Sequence, residues 1–284
     1  MTRSIKKIVV IGAGTMGVGI AQVAAMSGFN VVLFDIEPET LPKAMQRINR
    51  RLDKSIDKQE ITPLQKQDIL SRIDATTFFG DLYGDFIIEA IVEDLNIKME
   101  ILGQTARLNK PNVILASNTS SIPITRLARQ LPFPERVVGM HFFNPAHIIP
   151  LVEVVAGIAT NKKTLETAQQ LVLQMQKTPV VVKDSAGFLV NRVNRHYYLQ
   201  ALQLLEEQVA DIETIDALLE SAGFKMGTFK LIDLIGLDSN HRTSKSIYES
   251  FFGEARFKPS RFEQQKVEAG HFGRKAGKGF YDYE

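Results

Sequence analysis

The sequence predicts an α/β domain over residues 1–184, followed by a smaller all-helical domain over residues 185–284. Short apolar runs typical of β-strands alternate with helical patterns from Lys6 to about Val182. Such alternation favours a mostly parallel sheet with helices on both faces. From Gly187 onward the strand-like runs give way to long helical periods, so we place the hinge between the two domains at residues 184–187.

The predicted strands of the first domain are valine-rich runs bounded by turn residues, and its helices carry apolar residues at three- and four-residue spacings. The strands span residues 7–11, 30–34, 86–91, 113–116, 137–141, 151–155 and 179–182. The helices span residues 18–26, 41–57, 95–108, 124–129 and 165–176. In the second domain we predict helices over residues 188–208, 212–221 and 238–252, the first of them buried on several sides.

Composition narrows the class of protein. Hydrophobic residues make up 44% of the 284, enough for a sizeable core, and the formal net charge of +2 does not support binding to nucleic acid or to an anionic membrane. The absence of cysteine excludes disulfides, thiolate nucleophiles and thiolate zinc sites, and no other metal site is predicted. No apolar run approaches the ~20 residues of a membrane span. We expect no signal peptide before the first strand, and the cytoplasm is the simplest location.

The most specific local pattern is Gly12-Ala13-Gly14-Thr15-Met16-Gly17, which directly follows the first strand and precedes a helix. A second strand then ends in Asp35. This order is typical of the dinucleotide site of a Rossmann-type domain, where the glycines permit a tight turn and close approach of a pyrophosphate. The helix N-terminus favours the phosphates. Asp35 would accept hydrogen bonds from ribose hydroxyls and repel a 2′-phosphate, so the pattern predicts NAD rather than NADP.

His141 and Glu153 lie at the ends of two apolar runs joined by a proline-containing segment. Two adjacent strands would bring the imidazole and the carboxylate together. A carboxylate on one ring nitrogen leaves the other to take a proton near neutral pH, as a general base must. On spacing alone, a structural core histidine with a hydrogen-bond partner is the commoner outcome. The dinucleotide pattern is what favours the catalytic interpretation.

The helical pattern over residues 43–58 places several cations mostly along one side. They are Arg47, Arg50, Arg51, Lys54 and Lys58. A solvated outer face is the usual meaning of such a run. The functional alternative is an anchor for a polyanionic substrate, with the phosphates of coenzyme A as the obvious candidate.

Together, these residues resemble the L-3-hydroxyacyl-CoA dehydrogenase family. The length of the chain is similar to that of the family's bacterial 3-hydroxybutyryl-CoA type. The similarity covers essentially the whole chain and rests on residues 10–17, 89–93, 116–121, 139–145, 151–154, 187–192 and 277–281. The resemblance implies an NAD-dependent oxidoreductase of fatty acid metabolism that transfers a hydride between C3 of a short-chain L-3-hydroxyacyl-CoA and NAD. It also implies a homodimer formed through the helical domain.

The resemblance further implies a role for individual residues. His141 would be the general base, and Glu153 would orient its ring. Ser120 and Asn191 would hydrogen-bond the oxygens of the substrate. The cofactor would contact residues 12–17 and Asp35, together with Glu93, Lys98, Ser120, Asn144 and Lys275. The coenzyme A anchors would be Arg51, Lys54 and Lys58. For Lys98, an ordinary surface position on a helix is the alternative.

Some positions depart from the family pattern. Lys225-Met226-Gly227-Thr228-Phe229-Lys230-Leu231 stands where Pro-Met-Gly-Pro-Phe-Glu-Leu is usual, and His196 and Gln200 replace a common proline and glutamate. These changes put the shape of the acyl pocket or the dimer surface in doubt.

Two other functions stay open. An NAD-dependent dehydrogenase of a small free hydroxy acid would use the same His–Glu pair. A catalytically silent NAD-binding protein would be expected to lose one of the four reaction residues, and a fold alone never proves a function. All four are present, at His141, Glu153, Ser120 and Asn191.

Overall fold

The computed structural model describes residues 5–283. The chain divides into two compact units, with the boundary between Asp184 and Ser185. The first unit combines a sheet with helices, and the second is predominantly helical. This composition confirms the predicted fold class.

Eight strands form one sheet in the first unit: β1 (Lys7–Ile11), β2 (Asn30–Phe34), β3 (Ile73–Thr76), β4 (Phe86–Glu89), β5 (Ile114–Ser117), β6 (Val137–Phe142), β7 (Leu151–Ala156) and β8 (Thr178–Lys183). Their order across the sheet is β3-β2-β1-β4-β5-β6-β7-β8. Neighbours are parallel, except that β6 and β7 are antiparallel. The short connection between β6 and β7 explains the exception, because a parallel crossover needs about a dozen residues or more.

The helices of the first unit are α1 (Thr15–Met26), α2 (Thr40–Asp57), α3 (Pro63–Ser71), α4 (Leu95–Leu108), α5 (Ile124–Ala128) and α6 (Lys162–Gln174). Every residue of β4 and β6 is buried. Burial of successive residues means that both faces of these strands are covered, as expected for a parallel sheet with helices on each side.

The sequence-based prediction missed β3 and α3. In β3 only Ile73 is buried, and the strand lies at one end of the sheet. An edge strand covered on few of its residues carries no apolar run for a pattern to detect. The start of α3 does carry a signal, because Thr62 and Gln65 form a reciprocal capping box. The helix itself buries only Ile69, so its apolar period is too weak to indicate a helix.

The helices of the second unit are α7 (Val190–Glu206), α8 (Ile212–Ser221), α9 (Thr228–Ile235), α10 (Leu237–Ser250) and α11 (Arg261–Glu268). Their core is formed by Tyr198, Ala201, Leu202, Ile215, Phe229, Ile232, Leu237 and Phe280. Two buried aspartates organise this unit. Asp216 accepts hydrogen bonds from the N–H groups of Phe229 and Lys230, at 2.8 and 3.0 Å, and so caps α9. Asp233 accepts hydrogen bonds from the N–H groups of residues 280 and 281, which fixes the C-terminal segment.

The prediction that the first helix of this unit is buried on several sides is wrong in part. Leu189 is 45% exposed and Val193 is 60% exposed, whereas Leu202 is 1% exposed. A leucine and valine spacing shows which residues share a helix side, but not whether a neighbour covers that side. The prediction also missed α9 and α11, because both are short and α11 is mostly polar. Within residues 5–283, no helix has the length and apolarity that crossing a membrane requires.

Candidate active site

The glycine turn after β1 has the geometry that its sequence predicts. Gly12 has φ +104°, and a Cβ there would lie 2.7 Å from the carbonyl oxygen of Ala90. A Cβ on Gly17 would lie 1.7 Å from the carbonyl oxygen of Gly12, so α1 can approach the turn only with glycine at this position. Around Gly14 there is no atom within 4 Å of the place of a Cβ. The backbone at Gly14 is therefore open to a ligand.

The residues next to this turn fit a dinucleotide. Gly14 is the N-cap of α1 and no side chain caps it, so the first N–H groups of the helix are available to an anion. Asp35 follows β2, and its Oδ2 accepts a hydrogen bond from the N–H of Ala13 at 2.7 Å. Its Oδ1 accepts one from the N–H of Glu37 at 3.0 Å. The carboxylate is thus fixed beside the glycine turn, where a ribose next to the phosphates would lie.

Strand register places the other predicted residues at the same edge of the sheet. Ile11 pairs with Glu89, Glu89 with Ser117, and Ser117 with Gly139. These strands are parallel, so the segments that follow them leave the sheet at one carboxyl edge, where ligands bind in open α/β folds. Residues 12–17, 90–94 and 118–121, together with His141, belong to this edge.

Glu93 fixes the backbone that carries Ser120. Its Oε1 accepts hydrogen bonds from the Thr119 hydroxyl at 2.6 Å, from the N–H of Ser120 at 3.0 Å and from the N–H of Ser121 at 3.1 Å. Burial alone would raise the pKa of Glu93, but the ammonium of Lys98 and these hydrogen bonds hold that pKa below its ordinary value. Glu93 is therefore a carboxylate at neutral pH.

Lys98 is not on the surface: the surface alternative for this residue is wrong. Its side chain is 1% exposed, and Nζ lies 2.5 Å from Oε1 of Glu89 and 3.3 Å from Oε2 of Glu93. Glu89 is itself fully buried, and its Oε2 accepts a hydrogen bond from the Ser117 hydroxyl at 2.6 Å. Two carboxylates thus hold one ammonium beside the glycine turn.

Glu89, Ser117 and Asn118 escaped the sequence-based assignment of roles. Glu89 is an acid at the end of an apolar strand-like run, which is the one local signal that could have singled it out. Asn118 accepts a hydrogen bond from the N–H of Phe142 at 2.8 Å through its Oδ1, and so ties the end of β5 to the end of β6.

His141 and Glu153 are directly opposite each other on the antiparallel strands β6 and β7. Nδ1 of His141 lies 2.7 Å from Oε2 of Glu153. The carboxylate is fully buried and the histidine is 6% exposed. The predicted contact between these two side chains is therefore present. A carboxylate so placed fixes the orientation of the ring.

The remaining predicted residues differ in their surroundings. Asn144 is exposed and precedes Pro145 through a cis peptide bond. Asn191 lies in the first turn of α7, in the second unit. Lys275 also belongs to that unit, where its Nζ lies 2.6 Å from Oδ1 of Asp238. Its ammonium thus already has a carboxylate partner.

The cations predicted to anchor coenzyme A all lie on α2. Lys54 and Lys58 are exposed, and Arg51 is partly buried. The guanidinium of Arg51 lies 3.5 Å from Oε1 of Gln22. Burial, followed by the nearby Arg47, lowers the pKa of Arg51 from its ordinary value. Arg51 thus differs from the two lysines in having been partly removed from water.

The fold and these residues define a dinucleotide-binding α/β protein with a buried histidine–glutamate pair. Comparison with known families specifies the class further. Residues 7–185 match the model of the 3-hydroxyacyl-CoA dehydrogenase NAD binding domain, and residues 187–283 match that of the 3-hydroxyacyl-CoA dehydrogenase C-terminal domain. The chain belongs to the 3-hydroxyacyl-CoA dehydrogenase family. Its first unit is the NAD-binding domain of that family.

Individual relatives agree with the family. The chain is 43% identical to 3-hydroxyadipyl-CoA dehydrogenase of Escherichia coli, over 100% of its own length and 60% of the length of that protein. It is 40% identical to 3-hydroxybutyryl-CoA dehydrogenase of Bradyrhizobium diazoefficiens, over 100% of its own length and 97% of the relative. Among solved structures, (S)-3-hydroxybutyryl-CoA dehydrogenase of Ralstonia eutropha has a TM-score of 0.96 and 38% identity, with 99% of this chain and 100% of that chain covered.

Proposed function

We propose that the protein transfers a hydride between C3 of an L-3-hydroxyacyl-CoA and NAD. The observation that carries this proposal is the buried pair of His141 and Glu153 at the edge of the sheet that also carries the glycine turn. Bound NAD supplies the acceptor for the hydride. The protein must then take up the proton that the 3-hydroxyl group loses.

His141 performs the proton step in this proposal. Because Nδ1 bonds to Glu153, the proton of the 3-hydroxyl passes to Nε2 as the C3 hydride leaves. The ring becomes an imidazolium, and the buried carboxylate stabilises its charge. In the reverse direction the imidazolium returns the proton to the oxygen of the ketone. No other group needs to change its charge.

Ser120 and Asn191 are proposed to hydrogen-bond the substrate oxygens. A hydroxyl and an amide suit this role because they can bind an alcohol or a ketone without gaining charge. For Ser120 the support is the set of hydrogen bonds that Glu93 accepts from residues 119–121, which fixes the local backbone. For Asn191 the proposal rests on the family resemblance.

The residues proposed to hold NAD are those of the glycine turn and its neighbours. The N–H groups at the start of α1 would bind the pyrophosphate, and Asp35 would bind the adenosine ribose. Further contacts would come from Glu93, Lys98, Asn144 and Lys275. The pairing of Lys275 with Asp238 makes it the weakest member of this set. Arg51, Lys54 and Lys58 are proposed as anchors of coenzyme A.

The acyl group is proposed to be short. One full-length relative carries the name 3-hydroxybutyryl-CoA dehydrogenase, and the E. coli relative carries the name 3-hydroxyadipyl-CoA dehydrogenase. These names describe a four-carbon acyl group and a six-carbon group with a terminal carboxylate. The departures at residues 225–231 are the first place to look for a preference between them.

We also propose that the chain forms a homodimer through its second unit. Exposed apolar side chains in that unit support this, including Val193 at 60% and Phe252 at 99%. Light scattering on the purified chain tests the proposal, and a monomer at micromolar concentration would reject it. The cytoplasmic location remains a prediction from the sequence.

The deciding experiment follows NADH oxidation with acetoacetyl-CoA, with acetoacetate and NADPH as parallel controls. Fast turnover confined to NADH and the coenzyme A ester is the expected result. Turnover of free acetoacetate would favour the hydroxy-acid dehydrogenase instead. Binding of NADH without turnover of acetoacetyl-CoA or of 3-oxoadipyl-CoA would favour the silent NAD-binding protein.

A further inference from the structure

A second cluster of chemistry-bearing side chains lies in the first unit, where α2, α1 and the segment after β6 meet. Arg51 on α2 lies against Gln22 on α1, with 3.5 Å between its Nη1 and the amide oxygen. One turn earlier on the same side of α1, a Cβ on Gly19 would lie 3.0 Å from the Cβ of Ala146. His147 follows Ala146 directly. Arg51 and Ala146, the residue that precedes His147, are therefore both next to one side of α1.

A second cation, Lys177, comes close to the same segment from beyond the end of α6. Nζ of Lys177 donates a hydrogen bond to the carbonyl oxygen of Ile149 at 2.9 Å, and Ile149 lies two residues beyond His147. Burial lowers the pKa of His147, and the charges of Arg51 and Lys177 lower it further.

No carboxylate compensates this positive charge. Among residues 5–283, none of the ion pairs involves Arg51, His147 or Lys177. Burial lowers the pKa of Lys177 as well, so this ammonium is partly desolvated. Nδ1 of His147 is buried and has no hydrogen-bond partner among the residues that the structure describes. Cations gathered without a counterion repel one another, and an anion placed among them removes that cost.

We propose that Arg51, His147 and Lys177 form one site for a phosphoryl group. The three side chains supply complementary donors: a guanidinium that bonds two oxygens at once, an ammonium point charge and an imidazole N–H. Phosphate oxygens accept such charge-assisted hydrogen bonds strongly. The occupant is a phosphate of coenzyme A, an identification that rests on the proposed function. Lys54 and Lys58, exposed further along α2, remain the proposed anchors of other parts of coenzyme A and add long-range attraction.

The test is isothermal titration of the full chain with coenzyme A, dephospho-coenzyme A, pantetheine and inorganic pyrophosphate. Variants H147Q and K177M should each bind coenzyme A and pyrophosphate about tenfold more weakly, as loss of one charge-assisted contact predicts. Pantetheine, which has no phosphate, should bind all variants equally. Comparison of coenzyme A with dephospho-coenzyme A identifies which phosphate the site takes. K177R keeps the charge and should retain most of the affinity.

The matched control is R50Q. Arg50 is the exposed neighbour of Arg51 on α2, and its guanidinium donates a hydrogen bond to Oε1 of Gln46 at 2.7 Å. R50Q removes one positive charge from α2, as K177M removes one from the segment after α6, but Arg50 is outside the cluster, so affinity for coenzyme A should change by less than about twofold. A loss in R50Q as large as that in K177M would overturn the site, because net charge rather than a built cluster would explain the binding.

Turnover separates failure of this inference from failure of the proposed function. If acetoacetyl-CoA is reduced while H147Q and K177M bind coenzyme A as tightly as the parent chain, the site is wrong and the function stands. If pyrophosphate binding depends on these three side chains but acetoacetyl-CoA is not reduced, the phosphoryl site stands and the function is wrong. If neither pyrophosphate nor coenzyme A binds the parent chain, the site is overturned.

Discussion

Replacing Glu153 with glutamine tests the proposed chemistry most directly. Glu153→Gln keeps the size and shape of a fully buried side chain and removes only its charge. The amide oxygen can still accept the hydrogen bond from Nδ1 of His141, which is 2.7 Å away in the parent protein. The fold, the ring orientation and the binding of NAD should therefore persist. What the variant loses is the partner for a developing imidazolium.

The size of that loss follows from the geometry. A hydrogen-bonded imidazolium and carboxylate have charge centres about 4 Å apart, and at an effective dielectric constant of about 20 their attraction is worth about 4 kcal/mol. The neutral ring of the ground state gains little of this. The attraction therefore acts mainly on the transition state, in which the proton has moved. About 4 kcal/mol corresponds to about a 10³-fold fall in kcat.

The assay is steady-state oxidation of 3-hydroxybutyryl-CoA by NAD, the direction in which the ring of His141 starts neutral and gains the proton, together with NADH binding measured by fluorescence. kcat should fall about 10³-fold, while the Kd for NADH should stay within about twofold of the parent value. Glu166→Gln is the matched control. Its carboxylate is 58% exposed and pairs with Lys162 on the same helix, so turnover should not change.

A fall of less than about tenfold in Glu153→Gln would refute the reasoning, because the buried charge would then contribute little to the proton step. A weakened NADH affinity with unchanged kcat would also refute it. In that case Glu153 would be part of the binding structure rather than of the chemistry.

Three further predictions address the cofactor site, its buried ion pair and the loss of stability at acidic pH. Asp35→Ala should weaken NADH binding and narrow the preference for NADH over NADPH; an unchanged ratio of the two Kd values would show that specificity lies elsewhere. Glu89→Gln should lower the free energy of unfolding in urea by about 3 kcal/mol, because it removes one partner of a fully buried pair with Lys98; a loss below about 1 kcal/mol would contradict this. The pKa of His147 is lowered in the folded state from its ordinary 6.5, first by burial and then by Arg51 and Lys177. Its contribution to stability is thus present above pH 6.5 and is lost as the pH falls below that value towards the folded pKa. As the pH falls over this interval, Tm should therefore fall less in H147Q than in the parent chain. Parallel curves of Tm against pH would contradict the lowered pKa of His147.

The parts of the site that the sequence predicts are those made by neighbouring segments. The glycine turn and Asp35 belong to one strand–helix–strand unit, so their order along the chain determines their meeting in space. His141 and Glu153 lie on strands joined by one short segment, which leaves antiparallel pairing as the only arrangement. In both cases the order of the segments along the chain and the rules of strand pairing are enough to predict the contact.

Contacts between distant segments could not be predicted in this way. The spacing of apolar residues along a helix shows which residues are on the same side as Lys98. It does not show whether a carboxylate is close enough to pair with the ammonium, and burial of Lys98 depends on that pair. That carboxylate, Glu89, comes from the preceding strand and appears in the sequence only as an acid within an apolar run. The proposed cluster of Arg51, His147 and Lys177 depends on how α1, α2 and the segment after β6 pack. No pattern within a single segment of the sequence predicts that packing.

In the proposed proton step only His141 changes its protonation state, and Glu93 keeps its charge throughout. Its carboxylate accepts hydrogen bonds from residues 119–121 and faces the ammonium of Lys98. Because that ammonium and those donors hold its pKa below the ordinary value in spite of burial, Glu93 keeps its charge at neutral pH. A carboxylate that keeps its charge keeps accepting the hydrogen bonds that fix the backbone of Ser120. In the first unit, Glu93 supports the binding geometry and Glu153 supports the proton transfer. A mutation of one of these carboxylates therefore leaves the role of the other in place.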